Sequence, residues 1–339
     1  MPAIYSFKLL IKLILSIGAF ILLSYCFHPG RFAKNTYDHI DIDDIPDHLS
    51  CSPEFSKVCQ IEQSPFCVVL LNRRMKKLAY PNRDVSESFL RNLSTTLHIN
   101  PGGVWKPLEC ISKFRVAIIV PYRDRAMQLN IFLSYMHPFL QAQMLEYRIV
   151  IVEQSEHLPF NRAKLFNIGF VETLKIHPYH CFIFHDVDLI PQNTNNIYAC
   201  THQPRHMSSS VNTFRYNLPY NDLFGGVVSM LKEQFEDVNG FSNAFYGWGG
   251  EDDDFWNRLN YKGLQICRFS PDVAKYVMLS HKKEPPSQTR YISLKAGMKR
   301  FESDGLNNLN YKVLKLEYHP LYTRILADLI SADVPYESQ

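Results

Sequence analysis

The sequence predicts an α/β domain with a mostly parallel central sheet, preceded by an apolar N-terminal segment and a polar stretch. Three observations carry this. Short runs rich in β-branched residues alternate with stretches whose apolar positions recur near a helical period. Three of those runs end in charged residues, so polar groups converge on the rim where ligands of such sheets bind. The segment 9–27 reads as a transmembrane helix.

The 339 residues are 46% hydrophobic and 20% charged, which suits one large domain with extensions. A net charge of +3 gives no reason to expect nucleic acid, and 20 prolines with 13% aromatics argue against a helical bundle or a disordered chain.

Residues 1–8 read as a cytoplasmic tail. Leu13 to Phe27 is uncharged, and extending it back to Leu9 gives 19 residues with Lys12 near the end, where a lysine can snorkel. Lys8 and Lys12 lie before the uncharged run, so the positive-inside rule places the bulk of the chain in the lumen, with 9–27 as a signal-anchor. A cleaved signal peptide is the rival reading, but the run ends in Ser-Tyr-Cys-Phe-His, a poor cleavage site. Residues 28–60, with DHIDIDDIPDH at 38–48, read as a solvated stem, and 61–339 as the lumenal domain. Seven of the eight cysteines follow the anchor, so at least one stays unpaired or pairs between chains, and none forms a C-x-x-C. Asn92-Leu93-Ser94 is an N-glycosylation acceptor triplet.

Residues 61–110 are ambiguous. From Phe114 the chain becomes regular: RVAIIVPYRDR is a strand ending in charge, and 127–143 a helix. YRIVIVEQ is a second strand, FNRAKLFNIGFVETLK a second helix, CFIFHDVDLIP a third strand and GGVVSML (225–231) a fourth.

Three constellations could carry chemistry. Asp186 and Asp188, two apart in extended chain, point the same way and suit a hard divalent cation, or else cap a strand-end turn. Met278 and His281 could join such a site, although Met278 alone reads as core and His281 as surface. In FYGWGGEDDDFWNRL (245–259), Trp248 offers a flat face to a sugar ring, Gly249 and Gly250 allow close backbone approach, and a carboxylate could serve as general base. The same acids suit the first turn of a helix, and both readings can hold. Arg123, Arg125, Arg162 and Lys164 supply cations of the kind a diphosphate needs.

Taken together, VPYRDR (120–125), FNRAKLFNIGF (160–170), FHDVD (184–188), PRH (204–206), LPYNDLFGG (218–226), NGF (239–241), GWGGEDDD (247–254), MLSH (278–281) and SDGLNNLNY resemble, in order and spacing, the β-1,4-galactosyltransferase family, glycosyltransferase family 7, from Phe114 to Tyr322. The resemblance implies a nucleotide-sugar-binding fold of the GT-A type and a Golgi type II membrane enzyme with its catalytic domain in the lumen. It implies an inverting transfer from a UDP-sugar to a GlcNAc-terminated glycan of glycoprotein or glycolipid, with Mn²⁺. Asp188, Met278 and His281 fall on metal ligands, and Pro121, Arg123, Arg125, Phe160, Arg162, Asp186, Val187, Trp248 and Glu251 on UDP-sugar positions. Trp248, Gly250, Asp252, Asp253, Arg290 and Tyr291 fall on acceptor positions, with Asp252 as the base. Cys181 and Cys200 match a family disulfide, and Cys67 and Cys110 are spaced like a second. The resemblance leaves Cys51, Cys59 and Cys267 unassigned.

Some positions depart from the family. Leu223 stands where galactosyltransferases carry a tyrosine that crowds the C2 substituent of the donor sugar, so the resemblance points to UDP-GalNAc, with UDP-Gal as the alternative. Tyr122 replaces a frequent phenylalanine, Thr213 a lysine of some members, and the segment after His281 is short. A catalytically inactive sugar-binding homologue and a metal-dependent hydrolase are the readings from other classes.

Overall fold

The structure, a computed structural model, describes residues 2–27, 37–58, 65–68, 71, 85–155, 158–282 and 284–330. It divides into two units, Met1–Tyr37 and Asp38–Gln339. The first holds helix α1 (Pro2–Phe27), which includes the expected 9–27 and begins earlier. Its described apolar side chains are exposed, Leu15 at 67% and Phe20 at 74%. Among the described residues no helix is long and apolar enough to cross a membrane.

The second unit begins inside the expected stem, and here the reading of 28–60 needs correction. Ile40, Ile45 and Leu49 are buried, while Asp41, Asp43, Asp44 and Asp47 between them face solvent. Ile40 bridges Phe269, helix α2 (Ile45–His48) follows, and Leu49 bridges Thr201. Three spaced apolar residues were enough to dock an acid-rich segment. Helix α3 (Glu87–Thr96) is capped by Ser86, whose hydroxyl accepts from Phe89 N at 3.2 Å, and it carries Asn92 exposed.

The frame is an eight-stranded sheet. Its strands are β1 (Val104–Trp105), β2 (Arg115–Tyr122), β3 (Glu146–Gln154), β4 (Cys181–His185), β6 (Arg205–His206), β8 (Val227–Leu231), β10 (Lys312–Tyr318) and β11 (Thr323–Asp328). A separate three-stranded sheet joins β5 (Leu189–Pro191), β9 (Lys275–Met278) and β7 (Ser210–Val211) in that order. The order of the large sheet is β10-β11-β3-β2-β4-β8-β6, with β1 also on β3. Only β2–β3, β2–β4 and β11–β3 are parallel; β1–β3, β4–β8, β6–β8 and β10–β11 are antiparallel, so the sheet is mixed rather than mostly parallel. Parallel strands joined by helices form the centre, and reversed strands with a C-terminal hairpin form the flanks.

Alternate residues of β2 serve the two faces. Val116, Ile118 and Val120 pack with helix α4 (Ala126–Gln141); Ala117 and Ile119 pack with helix α5 (Arg162–Ile176). Gly169 lets α5 lie close, since a Cβ there would meet Ile119 Cγ2 at 2.2 Å. The remaining helices are α6 (Lys232–Asp237), α7 (Glu251–Tyr261) and α8 (Arg290–Arg300). Disulfides join Cys181 to Cys200 and Cys67 to Cys110; Cys51 is also disulfide-bonded, and Cys267 is free and buried.

Candidate functional site

The carboxyl ends of β2, β3 and β4 meet the N-termini of α5 and α7. Asp186 follows β4, and its N–H donates to the Gly226 carbonyl at 3.1 Å. Arg162, at the start of α5, donates from Nε to Asp186 Oδ1 at 2.6 Å and lies 3.5 Å from Glu251 Oε1. Burial pushes the Asp186 carboxyl up to about 6 against the pull of Arg162. Glu251 is pushed up to about 7, by burial first and by its neighbour Asp252 next. Its Oε2 is buried with no hydrogen-bond partner among the described residues.

The small sheet places the second pair of elements. Leu189 of β5 sits opposite Met278 of β9, and Leu279 N donates to the Asp188 carbonyl at 2.7 Å. That pairing brings His281 Nε2 to 3.0 Å from Asp188 Oδ2, and this contact is the main cause of a raised His281 pKa. The Thr213 hydroxyl lies 3.8 Å from Met278 Sδ, and Val187 is buried between the two aspartates.

Among the described residues no group of three or more His, Cys, Asp or Glu side chains is placed to hold a metal ion by itself. A cation here would draw one oxygen from Asp188, one nitrogen from His281 and the Met278 thioether. That donor set fits a borderline ion such as Mn²⁺ better than Mg²⁺ or Ca²⁺.

The acidic run is both the start of a helix and part of the rim. Gly249 and Gly250 precede α7 at φ 105° and 94°, a region that strains residues with a Cβ. Four acids fill the first turn, where the helix dipole favours them. Their side chains then diverge. Glu251 faces Arg162. Asp252 Oδ1 accepts from Asp253 N at 3.0 Å, and burial raises its carboxyl. Asp253 Oδ1 accepts from the Tyr220 hydroxyl at 2.8 Å. Asp254 turns into the core, where Oδ2 accepts from Arg258 Nε at 2.9 Å.

Trp248 is 58% exposed, its carbonyl accepts from Ser287 N at 3.0 Å, and the Arg290 guanidinium lies 5.7 Å from its ring centre and 4.6 Å from that of Tyr291. On the other side Pro121 closes β2 one residue from its end. Arg123 donates to the Leu158 carbonyl at 2.7 Å and lies 5.3 Å over Phe160. Arg125 donates to the Lys282 carbonyl at 3.3 Å. Lys164, offered by the sequence as a rim cation, is fully buried in α5.

Two family models match the chain: the N-terminal region of glycosyl transferase group 7 over residues 75–201, and the N-terminal domain of galactosyltransferase over 205–282. Human beta-1,4-galactosyltransferase 6 is 39% identical over 295 residues, covering 86% of this chain and 75% of that protein. The chain belongs to glycosyltransferase group 7.

Bovine beta-1,4-galactosyltransferase 1 is 46% identical over 231 residues, 67% of this chain and 58% of its own. The group 7 chain thus spans under two thirds of the length of that relative. The catalytic domain of Drosophila beta1,4galactosyltransferase 7, solved with xylobiose, superposes at TM-score 0.55 with 29% identity, covering 63% of this chain and 93% of that one. A mutant of that enzyme, complexed with manganese, UDP-Gal and xylobiose, superposes at TM-score 0.53 with 28% identity.

Three residues of this group 7 site went unmarked in the sequence. Tyr220 holds Asp253. Arg268, from beyond α7, donates to the carbonyls of Asn221 at 2.6 Å and Leu223 at 2.9 Å, fixing the half-buried Leu223 loop. Gly225 faces Asp252, and a Cβ there would lie 2.6 Å from Oδ2. Only the glycine pair of LPYNDLFGG hinted at this; the other contacts join distant residues.

Proposed function

We propose that this chain transfers galactose from UDP-Gal, with inversion and in β1,4 linkage, to terminal GlcNAc of a glycoprotein or glycolipid glycan. The carrying observation is the Asp186–Arg162–Glu251 bridge, which ties the strand-end acids to the acidic turn of α7. The galactosyltransferase relatives and the neighbour bound to UDP-Gal support this donor. A second reading, UDP-GalNAc, rests on Leu223, placed two residues before the glycine that abuts Asp252.

In this reading Pro121, Arg123, Arg125, Phe160, Arg162, Asp186 and Val187 bind the nucleotide sugar with Trp248 and Glu251. Trp248, Gly250, Asp253, Arg290 and Tyr291 hold the acceptor, and orientation contributes much of the rate. Asp252 removes the proton of the acceptor hydroxyl as it attacks the anomeric carbon from the face opposite UDP. Asp188, Met278 and His281 would hold Mn²⁺, which when bound supplies positive charge against the departing diphosphate. The exposed apolar side chains of α1, with Lys8 before them, support a type II signal-anchor in the Golgi membrane.

The test is donor choice. The full chain in detergent, with Mn²⁺ and a β-linked GlcNAc acceptor, is given UDP-Gal or UDP-GalNAc, and Leu223→Tyr is run beside it. Faster galactose transfer by the parent supports the first reading. A GalNAc preference that swings to galactose in Leu223→Tyr establishes the second. Release of free sugar without acceptor, or no turnover of either donor, overturns both.

A further inference from the structure

A buried hydrogen-bond chain runs beneath the rim, from the Asp186 turn to the strand carrying Met278. His185 ends β4; its Nδ1 lies 2.8 Å from the Asp186 carbonyl and its Nε2 2.8 Å from the Tyr198 hydroxyl. The Tyr198 hydroxyl lies 2.9 Å from that of Tyr276, which in turn lies 3.1 Å from Asn196 Nδ2. None of the four side chains is more than 1% exposed.

The direction of this chain is forced. A carbonyl can only accept, so His185 Nδ1 carries the proton. Nε2 of the neutral ring must then accept, and Tyr198 donates to it. The Tyr198 oxygen accepts from Tyr276, whose oxygen accepts from the Asn196 amide. That amide also faces the Met207 carbonyl at 3.4 Å, which orients it the same way round. Each proton has one place, and turning any member over orphans a buried neighbour.

The two ends matter for the site. Asp186 opens the turn that carries Asp188, and Tyr276 lies in β9 two residues before Met278. The Cys181–Cys200 disulfide closes the segment that supplies Tyr198. We infer that His185, Tyr198 and Tyr276 are positioning residues: they fix the spacing between the Asp188 turn and the Met278–His281 segment, and so set how tightly the site takes a divalent cation. This rests on the proposed reading of Asp188, Met278 and His281 as cation ligands.

The experiment is Mn²⁺ binding by the full chain in detergent, without donor or acceptor, followed as loss of the free-ion electron paramagnetic resonance signal. A thermal melt of each metal-free protein runs beside it. Tyr198→Phe and Tyr276→Phe each remove one hydroxyl, and each should weaken Mn²⁺ binding about three- to tenfold, below the range for direct partners of ligands. Tyr147→Phe is the control. Its hydroxyl is also fully buried, 2.8 Å from His137 Nδ1, but holds β3 to α4. It should lose similar stability and bind Mn²⁺ as the parent does. If all three variants lose stability and bind Mn²⁺ like the parent, the chain is structural only and the inference fails while the cation reading stands. A parent that takes up no Mn²⁺ sinks the cation reading, and the inference with it.

Discussion

Arg162 Nε donates to Asp186 Oδ1 at 2.6 Å while its Nη1 lies 3.5 Å from Glu251 Oε1, so one guanidinium serves two acids from opposite sides of the rim. One cation does not fully offset both, and Glu251 stays pushed up to about 7. An acid raised in the fold lets the folded state hold a proton the unfolded chain has released. Its contribution therefore favours folding below the unfolded value of 4.5 and is lost as pH rises through about 7. Glu251→Gln should melt with the parent near pH 4.5 and above it past pH 7, by the equivalent of about 1–2 kcal/mol. Melts across that range check this; a gap that does not change with pH means Glu251 titrates as an ordinary carboxylate.

In the proposed reading Asp252 is the base. Asp252→Asn should cut transfer by about 10²- to 10⁴-fold. Stability should hold, because the change relieves repulsion from Asp253 and keeps the shape. Burial raises the Asp252 carboxyl and the proposed base must be ionised, so parent turnover should fall with falling pH along a limb centred above the ordinary range of an aspartate. Steady-state rates of both proteins from pH 4 to 8 decide it. If the Asn variant keeps a tenth or more of the parent rate, the base lies elsewhere, and Asp253 is next to test.

Much of this was legible in the chain because short apolar runs and their charged ends sit close together in sequence. β2, α4, β3, α5 and β4 each carry their own periodicity, and the Asp186–Asp188 and Glu251–Asp254 groups stand in plain view beside them. Strand direction was not legible: β8 is as apolar as the parallel strands β2, β3 and β4, yet it pairs antiparallel with β4 after the path through β5, β6 and β7. The docking of Ile40, Ile45 and Leu49 was hidden among aspartates. Contacts such as Tyr220–Asp253 and Arg268–Leu223 join segments 33 and 45 residues apart, which no local pattern encodes.

Gly225 tests how finely the proposed base, Asp252, is placed. An added Cβ would lie 2.6 Å from Asp252 Oδ2, and the side chain must move by several tenths of an ångström or more. Gly225 has no left-handed φ, so alanine brings no backbone strain. Gly225→Ala should lower kcat about tenfold or more and cost less than about 1 kcal/mol of stability. Rates and melts of the same preparation separate the two effects; an unchanged kcat means the Asp252 carboxylate need not occupy its present position.

Gly297 tests what holds α7 against α8. Asp254 and Arg258 are fully buried within α7, and Asp254 Oδ2 accepts from Arg258 Nε at 2.9 Å. A Cβ on Gly297 of α8 would fall 1.8 Å from Asp254 Oδ1, far inside contact distance. Asp304 Oδ2 lies 3.6 Å from Arg258 Nη2 and its Oδ1 accepts from Asn243 N at 2.8 Å, so the same guanidinium is held between two acids and does not follow Asp254 freely. Either the helices separate or the pair breaks and leaves a buried charge alone, a loss of about 3–5 kcal/mol. Gly297→Ala should therefore unfold at markedly lower denaturant than the parent, with the slope of the transition unchanged. A variant that unfolds with the parent would mean that α8 can shift freely, and that the Asp254–Arg258 pair does not set the distance between the two helices.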